Sequence, residues 1–329
     1  MKISVIIPAY NSAATIGKAL DACLRIGYPD KEIIVVDDGS SDHTAEIVRA
    51  YGSGVTLVQR QANGGPASAR NAGWRASSGE VCFFTDSDCL PQPDVLSVFA
   101  AQFADAEVGG AGGTYGIANP EILLARLIHE EIVFRHSSMQ KQVDFLGSFN
   151  CAYRRSALEQ AKGFNEEYKT ASGEDNDLSY RVRKAGWKLV FDRRAVVAHF
   201  HETSLRQYLR RQANHGVWRV KLYMEHKDMM KGDKYAGLTD LVQPPLALLL
   251  AMGSPLLFIG GARLAYGAAF AIYVLLLLDI PARIAARKGG VEPLFLAPLA
   301  FLRGFSRAYG LVRGLLRFRL GGKAGTPKP

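Results

Sequence analysis

Cysteine is scarce, and none of it is placed for pairing or zinc. Cys23, Cys82, Cys89 and Cys151 form no Cys-x-x-Cys element and have no histidine at zinc-ligand spacing. A disulfide scaffold or a structural zinc site is thereby excluded, and reduced thiols in a reducing compartment are the expectation. A secretory leader is missing from the start of the sequence. Lys2 leads directly into Ile3–Ile7, an apolar run too short for a signal core, so the first half of the chain is expected to stay in the cytosol. No internal period of solenoid type occurs. Residues 1–202 also lack any cationic excess, with 21 Lys+Arg against 25 Asp+Glu.

The positive charge lies elsewhere. Of 329 residues with net charge +9, residues 203–329 carry 19 Lys+Arg against 6 Asp+Glu. These basic residues border long apolar runs, which suits an anionic membrane surface better than nucleic acid. The apolar fraction of 48% is enough for a full α/β domain with an appendage.

The first hundred residues alternate in type. Ile3–Ile7, Glu32–Asp37, Val55–Gln59 and Val81–Thr85 read as strands, with helices over 13–26, 42–51, 66–77 and 94–104. Ser41 or Asp42 is placed to cap the second helix. Such alternation predicts a mostly parallel sheet flanked by helices, with ligands bound beyond the carboxyl ends of the strands. The stretch Gly109–Gly113 reads as flexible punctuation. Beyond it, helices are expected over 120–138 and 175–185, strands over 145–153 and 188–198, and a basic helix from Ser204 to about His226.

After Leu238 the composition shifts. Residues 241–262 hold 22 residues without Asp, Glu, Lys or Arg, despite Pro244, Pro245 and Pro255. That length is sufficient for a membrane span, while the uncharged stretch 264–278 is marginal. Arg283, Arg287 and Lys288 follow, which orients a short hairpin with both ends in the cytoplasm. Residues 303–319 carry five arginines among Leu, Phe and Tyr, the pattern of an interfacial helix. A buried helical hairpin in a soluble domain is the alternative.

Four motifs occur in order. Pro8, Ala9, Tyr10 and Asn11 end the first strand; Asp37, Asp38, Gly39 and Ser40 end the second; Asp86, Ser87 and Asp88 end the fourth; Gly173, Glu174, Asp175, Asn176 and Asp177 open a later helix. Together they resemble the family 2 glycosyltransferases, over about residues 1–225. The resemblance implies a GT-A nucleotide-diphospho-sugar transferase fold, Rossmann-like. Its nucleotide-binding half would be about 1–108 and its acceptor half about 109–225. Residues 226–240 would be a linker and 241–329 hydrophobic, basic, membrane-associated helices.

The chemistry at these positions follows from charge. A nucleoside diphosphate beside Asp86 and Asp88 would be repelled unless a divalent cation intervened, and Mg²⁺ or Mn²⁺ takes carboxylate and phosphate oxygens. By resemblance Asp88 is the direct ligand, and Asp86 lies nearer the ribose or a metal-bound water, with Ser87 between them. A late histidine completes metal coordination in the wider GT-A group; His199 is favoured here, although spacing does not separate it from His201. Asp38 can accept the imide N–H of uracil, Tyr10 offers a face to the base, and Pro8 and Ala9 offer backbone contacts. Asn63, Gly64, Gly65 and Pro66 form a loop feeding a helix, from which Arg70 could reach the diphosphate or base.

An inverting transfer needs one base, which takes the proton of the attacking hydroxyl, and the resemblance assigns it to Asp175. Glu174, Gly147 and Asn150 would hold the acceptor. Acids in a first helical turn are also favoured by the macrodipole alone. Gln207–Arg211 departs from the Gln-x-x-Arg-Trp signature of processive synthases, with Arg211 where Trp would stand.

The expectation is therefore an inverting, non-processive glycosyltransferase that adds one or a few sugars rather than a polymerase. It would use a nucleotide sugar, UDP favoured, and a glycan or lipid-linked acceptor, at the cytoplasmic membrane with the catalytic domain facing the cytoplasm and without nucleic acid. A nucleotidyltransferase that makes sugar nucleotides is the competing enzyme. It is disfavoured because Pro8–Asn11 stands where a Gly-rich, basic phosphate loop would be. A non-catalytic membrane scaffold is the competing non-enzyme.

Overall fold

The structure is a computed structural model, described here for residues 1–228 and 238–320. Part of the expected 226–240 linker, and everything beyond residue 320, lies outside the described residues. The chain divides into two compact units. The first comprises Met1–Pro120 and His136–His201; the second comprises Glu121–Arg135 and the chain from Glu202 onward. The boundary expected at 225 thus falls within the second unit.

In the first unit the elements run β1 (Ile3–Ala9), α1 (Ile16–Leu24), β2 (Lys31–Asp37), α2 (Thr44–Arg49), β3 (Thr56–Gln59), α3 (Pro66–Ala76), β4 (Val81–Thr85), β5 (Cys89–Pro91), α4 (Val95–Gln102) and β6 (Val108–Ile117). After α5 (Leu123–Ser137) come β7 (Asn150–Arg154), α6 (Arg155–Gln160), α7 (Glu174–Lys184) and β8 (Lys188–His199). The eight strands form one sheet in the order β3-β2-β1-β4-β7-β6-β8-β5. β1 through β4 make a parallel ladder. β7 runs antiparallel to both β4 and β6, and β6 and β8 are again parallel.

β1 and β4 are adjacent, yet the chain leaves β1 toward β2 on the other side. This makes their carboxyl ends a topological switch point, where such sheets open a crevice. The apolar strands explain the arrangement: Ile3, Val5, Ile7, Val35, Val81 and Phe83 are fully or almost fully buried, as continuous runs covered on both faces must be.

One local expectation needs correction, and one open choice is resolved. Gly109–Gly113 is not a flexible break but lies inside β6, buried. A Cβ at Gly113 would fall 2.2 Å from the Ala195 carbonyl oxygen, and one at Gly110 would fall 2.8 Å from Leu189 and Tyr153. The glycines are there because neighbouring strands and side chains occupy the space. The short β5 and α6 gave no sequence signal of their own. Asp42, not Ser41, holds the start of α2, accepting from the Thr44 N–H at 3.0 Å and from the Ala13 N–H at 3.1 Å.

The second unit is helical: the Glu121–Arg135 part of α5, then α8 (Leu205–Glu225), α9 (Leu238–Gly253), α10 (Ala262–Lys288) and α11 (Leu296–Leu315). α8 and α11 approach closely through glycine. A Cβ at Gly310 would sit 2.0 Å from the Ala213 carbonyl oxygen, and one at Gly314 would sit 2.6 Å from that of Val217. Two helical stretches, Asp240–Phe258 and Ala262–Lys288, are long and apolar enough to cross a membrane by length and composition, with only 22% and 17% of their apolar windows buried. The second, expected to be marginal, is the longer because the helix continues through Asp279 and Pro281. Phe258 is 91% exposed.

α11 departs from the expected surface-lying helix at two of its arginines. Arg303 is buried and donates to Glu131 Oε2 at 2.5 Å, and Arg307 donates to Gln212 at 2.8 Å and lies 3.6 Å from Asp240. Arg135 pairs with both Glu131, at 2.7 Å, and Asp240, at 2.5 Å.

Candidate active site

The carboxyl ends of β1, β2 and β4 place the first three motifs together. Pro8 and Ala9 pair with Val36 and Asp37 across the β1–β2 ladder, and the Asp38 N–H donates to the Ala9 carbonyl at 2.8 Å. Tyr10 is half exposed, and Asn11 takes a positive φ of 49° at the turn. The Asn11 amide oxygen accepts from the Ser41 N–H at 2.9 Å, so the loops after β1 and β2 are tied to each other. Gly39 has φ 77°, and a Cβ there would meet the Ala62 backbone at 2.9 Å.

Asp37 is fully buried and accepts the Ser40 N–H at 3.1 Å, which orients the loop. The Asp38 carboxylate is also buried and already holds partners. Arg60 donates to Oδ1 at 2.6 Å, and the Gly64 and Gly65 N–H groups donate at 3.1 and 2.8 Å. The Gly64 N–H lies 3.1 Å from both oxygens, so these three donors make four contacts and occupy the roughly four acceptor positions of the carboxylate. Arg60 was not singled out in the sequence; its partner lies 22 residues away on another strand end, and nothing local marks it.

Arg70 sits on α3, whose amino end is shaped by Gly65 (φ 91°) and Pro66. Its side chain is buried. One guanidinium nitrogen donates to Asp86 Oδ1 at 2.8 Å and another to Glu174 Oε1 at 2.9 Å. The two carboxylates hold the guanidinium charged against the pull of burial, with its pKa raised. Arg70 thus joins the strand-end motif after β4 to the motif that opens α7. Its charge is directed between these acids rather than out toward a diphosphate.

Glu174 and Asp175 begin α7 after Gly173, which adopts φ 91°. Glu174 is buried, and burial pushes its carboxyl up to about 7, with the Asp175 charge adding and Arg70 opposing. Asp175 is partly exposed at its surface but sits in a poorly solvated setting. Burial raises its pKa, while the Asn176 and Ser148 N–H groups and Arg70 act against the rise. The Asn176 N–H lies 2.8 Å from Asp175 Oδ1.

Gly147 belongs to the loop that presents the Ser148 N–H to Asp175; a Cβ at Gly147 would strike the Phe149 ring at 2.8 Å. Asn150, in contrast, is buried, and its amide nitrogen bridges the carbonyls of Thr114 and Ala195 at 3.1 and 3.0 Å. It ties β7 to the strands beyond rather than facing open space.

The remaining acids lie on the turn after β4. Ser87 Oγ is 2.8 Å from Ser12 Oγ. Asp88 is brought to His199 by the β5–β8 ladder, in which Cys89 pairs with His199. Asp88 Oδ2 is 3.4 Å from His199 Nε2, and Asp88, Cys89 and His199 form a group that could hold a metal ion among the described residues. The donor chemistry favours two of the three. Burial holds the Cys89 thiol well above its ordinary pKa, and Mg²⁺ and Mn²⁺ prefer oxygen and nitrogen donors to sulfur. A carboxylate with an imidazole suits Mn²⁺ better than Mg²⁺. His201, which spacing left equivalent to His199, does not join that group. Its Nδ1 is instead 3.2 Å from His199 Nδ1.

Comparison with known proteins fits this geometry. A family profile described as Glycosyl transferase family 2 matches residues 4–161, and one described as Glycosyl transferase family group 2 matches residues 83–286, more than half of the chain. The chain is 30% identical over 239 residues to the pre-mycofactocin glycosyltransferase of Mycobacterium tuberculosis, covering 69% of this chain and 48% of that protein. It therefore spans about half the length of that relative. It is 29% identical over 230 residues to the O-antigen chain rhamnosyltransferase RfbN of Salmonella typhimurium, covering 66% of this chain and 72% of that protein. Among solved structures, a mannosyltransferase from Pyrobaculum calidifontis in complex with GDP-Man and Mn²⁺ aligns over 96% of this chain and 86% of its own with a TM-score of 0.57 at 22% identity, a likeness of fold.

Proposed function

The chain belongs to glycosyl transferase family 2, and from that premise we propose that it is an inverting, metal-dependent transferase. It moves a sugar from a nucleoside diphosphate, UDP favoured, to a hydroxyl of a glycan or lipid-linked acceptor. The observation that carries the reading is the Arg70 guanidinium, which touches Asp86 on the donor side and Glu174 on the acceptor side at once. It sets the acids that would face a diphosphate beside the acid that would face an attacking hydroxyl.

In this reading Pro8, Ala9 and Tyr10 line the base and ribose, and Asp38 accepts the imide N–H in place of one of its present donors. Asp88 and His199 would hold a divalent cation, with Asp86 beside them. When bound, the cation would offset charge on the leaving diphosphate. Asp175 takes the proton of the acceptor hydroxyl as its oxygen bonds to the anomeric carbon and the bond from that carbon to the diphosphate breaks. A raised pKa makes Asp175 a stronger base than an ordinary aspartate, and its surface exposure leaves it open to an acceptor. A single base is sufficient because the leaving group is already a good one, unlike in glycoside hydrolysis. Glu174 and the Gly147 loop fix its position. Asn150 supports that loop's strand from behind.

The departure from the processive signature at Arg211 supports addition of one or a few sugars. The two apolar helices and the basic second half support association with the cytoplasmic membrane, the catalytic unit facing the cytoplasm.

The test is metal-dependent hydrolysis of a panel of UDP-, dTDP- and GDP-sugars, followed by acceptor screening with the preferred donor. Stimulation by Mn²⁺ of one donor, with an inverted anomer in the transfer product, is expected. Absence of turnover and of diphosphate binding across the panel would remove the proposal. High-speed fractionation checks the membrane reading: recovery of the whole chain in the supernatant would remove it.

A further inference from the structure

The two histidines after β8 are not alternatives for one role, because they are hydrogen-bonded to each other. His199 Nδ1 and His201 Nδ1 are 3.2 Å apart and both rings are buried. Between two neutral imidazoles, one of these nitrogens must carry the proton and the other must accept it. His199 points its other nitrogen, Nε2, at Asp88 Oδ2, 3.4 Å away. If Nε2 is to give its lone pair to a cation, it must be bare, and the proton of His199 must sit on Nδ1. The partner nitrogen on His201 is then required to be the acceptor.

The surroundings hold both rings in that relation. The Asn119 side chain clamps the His201 backbone from both sides, donating to its carbonyl at 2.9 Å and accepting its N–H at 3.1 Å. The Ala118 N–H donates to the His199 carbonyl at 3.0 Å. Tyr115, stacked on Phe149 with ring centroids 3.4 Å apart, presents its edge to His199 at 5.4 Å and lies 5.6 Å from His201. Tyr115 thus packs against both imidazoles, and the contact between their Nδ1 atoms is what sets which nitrogen carries the proton.

The geometry points to His201 as a positioning residue: it accepts the Nδ1 proton of His199 and thereby presents His199 Nε2 as a bare nitrogen for a divalent cation shared with Asp88. This rests on the proposed metal site and assigns to one chain position the orientation of its nitrogen ligand. The partner nitrogen matters more than the ring. An asparagine at 201 would place its amide oxygen close to where Nδ1 now lies, whereas a glutamine would carry its oxygen farther out, near the place of Nε2.

The experiment measures Mn²⁺ affinity of the full chain by electron paramagnetic resonance of free Mn²⁺, in the presence of UDP, for wild type, His199→Ala, His201→Leu, His201→Asn and His201→Gln. Thermal denaturation confirms that each variant is folded. Loss of an outer partner of a metal-bound histidine weakens binding about 10- to 100-fold. His201→Leu and His201→Gln are expected to fall in that range, His201→Asn to recover most of the loss, and His199→Ala to bind at least as weakly as His201→Leu. His201→Leu within twofold of wild type while His199→Ala fails would overturn the positioning role and leave the metal site standing. A folded His201→Asn no better than His201→Gln would overturn it as well, should His201→Leu fail to fold. No Mn²⁺ binding by wild type would overturn the metal site and this inference together, and unchanged binding by His199→Ala would do the same for His199.

Discussion

Each unit buries a cluster of charge, and the two are built to opposite balances. In the first unit one arginine, Arg70, stands among Asp86, Glu174 and Asp175, so acid is in excess. In the second unit Arg135, Arg303 and Arg307 meet Glu131 and Asp240, so base is in excess and each acid has more than one arginine. Burial has opposite consequences for the carboxyls. Glu174 is pushed up to about 7, while burial of Glu131 is overcome by Arg303 and Arg135, which hold it far below the usual range. The second cluster is complete as a fastening between helices. The first is short of positive charge, as the cation and the general base proposed for that site would require. A buried charge cluster is therefore informative about function through its imbalance, not its existence.

The comparison is tested most strongly at Asp175. Asp175→Asn is expected to lower transfer about 10²- to 10⁴-fold, the contribution of a general base, while leaving UDP affinity unchanged. Steady-state transfer alongside calorimetry reads both; near wild-type transfer would remove the assigned base. Next comes Arg70→Leu, which strands Asp86 and Glu174 beside each other. A loss of about 3–5 kcal/mol in chemical denaturation is expected from two acids left without their counter-charge. Arg303→Met should cost less, about 1.5–3 kcal/mol, because Glu131 keeps Arg135. Equal losses for the two variants would erase the contrast between an unbalanced cluster and a redundant one.

The smallest effect is a displacement of the pH profile. Asp175 must be deprotonated to act, and its pKa is raised, so activity should fall as pH drops through a value above the ordinary aspartate range. With Glu174 pushed up to about 7, it is largely protonated where Asp175 titrates, so Glu174→Gln changes little charge there. The acid limb of kcat/KM should stay in place in that variant. A marked move of that limb in either direction would contradict this order of titration.

Much of the first unit was legible in the sequence because its signals are local. The parallel strands announce themselves as apolar runs, and Asp37, Asp38, Asp86, Asp88 and Asp175 fall at strand and helix ends that the pattern itself marks. What the sequence withheld is non-local. That Gly109–Gly113 is strand follows only from what packs on it, since the space a Cβ would need at Gly113 belongs to Ala195. Arg70 reads as a residue near an anion-favouring helix start, and only the fold shows its guanidinium held by two acids. His199 and His201 were inseparable by spacing, and β5, three residues long, is what distinguishes them by carrying Asp88 to one of them. In the second unit, arginines in an apolar stretch gave the pattern of a helix lying on a surface. Their partners Glu131 and Asp240 lie far away in sequence, so the pattern held no sign of the pairing.

The three-residue pairing of β5 with β8 also sets a timetable. Asp88 is made early in synthesis, whereas the imidazole that faces it is made only when β8 emerges from the ribosome. A nascent chain halted before that point has Asp88 without the imidazole that faces it, so an ion shared by this pair, as proposed, would be captured only after β8 has paired with β5.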